Sequence, residues 1–148
     1  MMFLLGVLGC FAAVSAFAVI LETPRKYVLH DGIVGGIGGF VYLFSIEKGL
    51  DVVMASFLSA LAIALMSHTF ARIFKAPVTI FLIAGILPTV PGAGMYRIVY
   101  YLIANDNARS NYYLIQTLEV AGVIALAIFI TDTLFKVRIK KENPKEKP

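Results

Sequence analysis

The chain has 148 residues, of which 59% are hydrophobic and 15% charged, far from the roughly half-apolar, quarter-charged make-up of soluble domains. This composition excludes a water-soluble globular protein, and no polar stretch is long enough to hold a separate catalytic domain. The chain reads as one all-α integral membrane domain, 1–135, with a basic tail, 136–148. A single cysteine excludes an intrachain disulfide framework, and two histidines argue against a protein-built zinc site, so the expectation is no metal, no cofactor and no enzymatic chemistry. The net charge of +4 is concentrated in "KVRIKKENPKEKP", Lys136 to Pro148, beside an apolar segment. That placement points to an anionic lipid bilayer and away from nucleic acid.

A membrane crossing needs about 20 helical residues, and the apolar runs supply five. The first, Met1 to Leu21, has the look of a signal peptide, and its "VLGC" resembles a lipoprotein cleavage site. No lysine or arginine precedes the run, so a retained first helix is expected. The second, Ile33 to Ile46, is short and glycine-rich. It crosses by borrowing His30 to Gly32 and Glu47 to Gly49, or it is partly re-entrant. Gly32, Gly35, Gly36 and Gly39 form overlapping small-xxx-small pairs, and Ser56, Ala60 and Ala64 form another in the third run, Val52 to Ala71. Such faces let helices approach closely, within one chain or against a partner. Asp31, Asp51 and Asn111 stand just before apolar runs, where short polar side chains cap helices. The fourth run is Val78 to Ala104 and the fifth Tyr112 to Phe135.

Five crossings place the chain ends on opposite sides. With the tail inside, Arg25, Lys26, Arg72 and Lys75 also fall inside, leaving Lys48 and Arg109 outside beside Glu47, Asp51 and Asp106. The N-terminus is therefore expected outside and the C-terminus in the cytoplasm.

The fourth run is too long for one straight crossing, about 40 Å as a continuous helix, and it contains "ILPTVPGAGMYR". Pro88 and Pro91 have no N–H for the carbonyls of Ala84 and Leu87, about 15 Å deep in the membrane. Gly92, Ala93 and Gly94 leave the backbone open where a second half-helix begins. Free carbonyls suit an ammonium, and N–H groups at a helix start suit a carboxylate. Broken backbone at this depth is tolerated where it lines a cavity, as in transporters built on paired half-helices. Pro88, Thr89, Pro91, Gly92, Ala93, Gly94, Tyr96 and Arg97 are the candidate substrate-binding residues. A proline kink used only for packing is the bland alternative.

"ILPTVPGAGMY", the preceding "FKAPVTIFLIAGI" and the early "FAVILETPRKYVLHDGIVGGIGGFVY" together resemble the small membrane subunit of the threonine/serine exporter family. That half also occurs as the C-terminal part of fused exporters. The resemblance implies a secondary exporter of the bacterial plasma membrane, driven by protons and working with a larger membrane subunit. Some relatives are linked to dicarboxylates such as succinate, so the substrate is a hydroxy amino acid or an organic acid.

Charges inside spans carry a functional question. Arg97 and Glu119 have similar depths and are expected to form an ion pair, with Gln116 one turn from Glu119. Glu119, Asp132 and His68 are the proton-coupling candidates. Each has a plainer reading: Glu119 as a structural partner of Arg97, Asp132 as a partner of Lys136, His68 as an interfacial residue. Tyr100 and Tyr101, with Tyr96, fit an outer aromatic belt. A non-transporting assembly or regulatory subunit, homo- or hetero-oligomeric, is the competing class. A channel is disfavoured by the single broken helix, and an intramembrane enzyme by the lack of any nucleophile–base or metal-ligand spacing.

Overall fold

In hydrocarbon the backbone has no water to satisfy its N–H and C=O groups, so each apolar run closes its own hydrogen bonds as a helix. The computed structural model describes residues 2–142, with side chains described to residue 137. The helices are α1 (Met2–Ile20), α2 (Arg25–Glu47), α3 (Val52–Phe74), α4 (Val78–Ile86), α5 (Gly92–Ile103) and α6 (Asn107–Glu142), and a 3-10 turn, Leu87–Thr89, follows α4. Taking α4 and α5 as one bent span, five segments are long and apolar enough to cross a membrane, and there is no β-strand among the described residues. The protein is a multi-pass, all-α membrane protein.

The second run does not need a re-entrant path. Helix α2 has 23 residues, about 34 Å at 1.5 Å each, because it begins eight residues before Ile33. Tyr27 holds these extra turns in place, its ring 5.4 Å from Phe81 and 5.8 Å from Phe74. Asp31 is consequently not a cap but an interior residue of α2, fully buried. Asp51 does cap α3, accepting the Val53 N–H at 3.3 Å. Asn111 is not a cap either, because α6 starts at Asn107 and Asp106 accepts the Arg109 N–H at 3.1 Å. At its other end α6 continues past Phe135 to Glu142, since nothing between these residues breaks a helix. The end of the span at 135 is therefore not a helix end, and residues 143–148 of the expected tail lie outside the described residues.

Helix α1 packs on α2, α3 lies between α2 and α6, α4 rests against α2 and α3, and α5 packs on α6. The glycine face of α2 explains the first contact: Gly32 meets Phe11 and Ser15, Gly35 meets Val14, and Gly39 meets Cys10. Gly36 has only ordinary contact with Phe11, at 3.6 Å. Gly38, which no sequence pattern singled out, faces Ile63 and Ser59 of α3, and the Ser59 hydroxyl donates to the Gly38 carbonyl at 2.9 Å. Ala60 packs with Val120, Ile124 and Ala127 of α6. The glycine stripe is used inside the chain, leaving the broken span held against a closely packed α1–α2–α3 frame. Antiparallel packing collects Arg25, Lys26, Arg72 and Lys136 at one end: Arg72 donates to the Phe135 carbonyl at 3.3 Å while Tyr27 touches Phe74.

Candidate functional site

The break begins where Pro88 fails to donate to Ala84. The chain then recaptures several of the carbonyls at the break locally. Leu87 accepts the Val90 N–H at 3.3 Å, Ile86 accepts the Thr89 hydroxyl at 2.6 Å, and Val90 accepts the Gly92 N–H at 2.7 Å. The Leu87 carbonyl, expected to be free, is therefore occupied. Helix α5 restarts at Gly92 with Pro91 before it, so the break is shorter than Pro88 to Gly94, and no side chain caps the new helix. Its first in-register bond runs from the Met95 N–H to Pro91 at 3.2 Å, leaving the Ala93 and Gly94 N–H groups without a backbone acceptor. The half-helix start with open donors survives; of the two opposing carbonyls, that of Leu87 does not.

Beside this break lies a cavity of about 570 Å³, lined among others by Pro88, Thr89, Pro91, Ala93, Gly94 and Arg97. Its size falls within the roughly 300–1,000 Å³ typical of small-molecule sites. The opposite wall comes from α2, α3 and α6, with Gly35, Tyr42, Ser56, Ser59, Gln116 and Thr117. Of the candidate substrate-binding residues, Gly92 and Tyr96 do not line it: Tyr96 is 68% exposed and stacks on Tyr100. The wall hydroxyls of Ser56, Ser59 and Thr89 each donate to a backbone carbonyl, at 2.7, 2.9 and 2.6 Å. Their protons are engaged, so what they turn to the cavity is acceptor oxygen. Donors come from the Arg97 guanidinium and the α5 N-terminus. The site thus has anion-accepting groups on the wall of the break and cation-accepting oxygens on both walls, Thr89 at the break and Ser56 and Ser59 opposite it.

Residues 6–134 match the family described as Threonine/Serine exporter, ThrE, a stretch that contains every residue lining the cavity. The chain belongs to the threonine/serine exporter family. Among curated relatives, a threonine/serine exporter of Corynebacterium glutamicum is 29% identical over 117 residues, covering 78% of this chain. The chain spans only 24% of the length of that relative. No solved structure matches.

In this family member the expected Arg97–Glu119 pair does not form. Arg97 lies over the Tyr113 ring, 5.2 Å from its centroid, and no ion pair joins it to Glu119 among the described residues. Helix geometry gives the reason. Gly94 seats α5 against Thr117, and Glu119 lies two residues on, about 200° around the helix from Thr117. Glu119 is exposed on the far side of α6. His68 and Asp132 meet at the basic end, His68 Nε2 3.7 Å from Asp132 Oδ1, with Lys136 also paired to Asp132. The His68 ring stacks on Phe135 at 4.6 Å, and neither residue lines the cavity. The sequence reading missed Ser59, Gln116 and Thr117 as wall residues. It also misplaced Asp31, which is fully buried with both carboxyl oxygens unpartnered.

Proposed function

We propose that this chain is the small membrane subunit of a proton-coupled secondary exporter that moves threonine or serine out of the cell, together with a larger membrane subunit. The cavity at the break carries this reading. Arg97 and the free N–H groups of Ala93 and Gly94 suit the carboxylate of an amino acid, while the acceptor oxygens of Ser56, Ser59 and Thr89 suit its ammonium and hydroxyl. A dicarboxylate would ask for cationic groups on both walls, and among the described residues Arg97 is the one lysine or arginine in the lining, which favours a zwitterion. Membership of the exporter family supports the amino-acid class. The partner is supported by the 24% of the length of the Corynebacterium glutamicum relative that this chain spans and by the one broken helix among the described residues, half of the arrangement that repeat-built transporters use. We place the basic end in the cytoplasm of a bacterial inner membrane, with the N-terminus outside.

Reconstitution in liposomes tests the reading. Threonine efflux under an imposed proton gradient is expected from the chain with its larger partner and not from the chain alone. Arg97→Gln should abolish most of that flux while the complex still assembles. Unchanged flux in Arg97→Gln would remove the carboxylate role, and full transport by the isolated chain would remove the partner.

A further inference from the structure

Asp31 is an acid with nothing to hold its charge. It is fully buried, and among the described residues its two oxygens are the only buried side-chain nitrogen or oxygen atoms without a hydrogen-bond partner. Three helices pack against α2, and none brings it a counter-charge. Helix α1 holds no ionisable group but Cys10, which sits at Gly39, two turns away, and α4 holds none at all. Helix α3 carries His68 and Arg72, but His68 pairs with Asp132 and stacks on Phe135, and Arg72 donates to Phe135, so both turn toward α6. On α2 itself Tyr27 packs among Phe74 and Phe81, and His30 faces Lys26 and Phe74. An unpaired carboxylate in such surroundings is strongly disfavoured.

Its position along α2 is as telling as its burial. Gly35, about one helical turn away, lines the cavity, a separation of about 6 Å along the axis. On that side Asp31 is closed off by the contacts of Gly35 with Val14 and of Gly85 with Val34 and Ile63. On the other side the aromatic cluster of Tyr27, Phe70, Phe74 and Phe81 closes it off from the basic end. Asp31 therefore stands between two thin seals, one toward the solute cavity and one toward the charged end of the bundle. Glu119, exposed on the far face of α6, and Asp132, paired to Lys136, have neither property.

We propose that Asp31 is the carboxyl group that carries the coupling proton of this exporter, protonated in the conformation described here and ionised when one of the two seals opens to water. The proposal rests on the proton-coupled exporter reading above. In an exchange cycle the proton is taken from the outer side through the cavity, held at Asp31 while both seals are closed, and released at the basic end as solute leaves in the opposite direction. Neutral Asp31 lets the bundle pass, with both seals closed, from one open state to the other without exposing a charge to the packed core.

The test uses the complex of this chain with its larger partner in liposomes. Two readouts are compared: threonine exchange at equal concentrations without a gradient, and uphill threonine movement driven by a proton gradient. Asp31→Asn, which mimics the protonated form, is expected to keep exchange and lose proton-driven movement. Should that variant not assemble, Asp31→Glu serves instead, with driven transport retained and its pH profile displaced. Asp31→Asn with driven movement intact, or Asp31→Glu with an unshifted profile, overturns the assignment. Wild-type complex that exchanges no threonine at all overturns the exporter reading itself, a different outcome from failure at Asp31.

Discussion

At Gly35 the space for a side chain is already filled by Val14, and at Gly39 by Cys10, so the α1–α2 contact depends on missing Cβ atoms. Gly9, also helical, has nothing within 4 Å of where its Cβ would stand. Gly35→Ala is therefore expected to destabilise the protein by about 1–3 kcal/mol through overpacking, whereas Gly9→Ala gains up to about 1 kcal/mol of helix propensity. Thermal unfolding of the two variants in detergent should move in opposite directions; a Gly35→Ala protein as stable as wild type would show that α1 sits elsewhere. The same residue scale shows why some side chains were legible and others not. A glycine repeat at helical spacing announces a close contact. Asp31 looked like a cap because it precedes an apolar run, and only the packing of Tyr27 onto Phe74 and Phe81 draws it into the helix.

At the scale of elements, the two prolines make two half-helices of one span. Pro88 removes a helical N–H, Pro91 precedes the restart, and the turn between them ties up Ile86 and Leu87. Replacing both by alanine removes the about 3 kcal/mol per proline that a continuous helix would cost here and lets α4 run straight into α5. Pro88→Ala with Pro91→Ala is expected to unfold at the wild-type temperature or above, yet, on the exporter function proposed above, to export no threonine, because the Ala93 and Gly94 N–H groups are then consumed inside the helix and the cavity wall is lost. Export at the wild-type rate by this double variant, measured with the larger partner, would reduce the break to a packing kink. Where a broken span faces is not written in its own residues: Arg97 turned to Tyr113 rather than Glu119 because the Gly94–Thr117 contact sets the rotation of α5 on α6.

For the molecule as a whole, charge and helix parity are what the proposed orientation rests on. Arg25 lies at the end shared with Arg72 and Lys136, and Ala108 lies in the first turn of α6 at the other end; both are exposed. In a Cys10→Ser background, Arg25→Cys is expected to react with a membrane-impermeant maleimide only after the cells are opened, and Ala108→Cys to react in intact cells. Labelling of both in intact cells would reject the positive-inside arrangement.

The residue order alone settled that this chain is helical, that five of its described segments are long and apolar enough to cross a membrane and that the fourth is broken, because a bilayer accepts only self-satisfied helices of a given length and proline cannot donate to the helix it interrupts. Those rules act locally along the chain and can be read from its order. Which residues meet around the break followed from helix rotation and from the depth at which glycine faces let α1, α2 and α3 settle, quantities set by contacts between distant segments. That is why Ser59 and Thr117 joined the cavity wall, Glu119 turned away from it, and Asp31 became a buried acid one turn from the site.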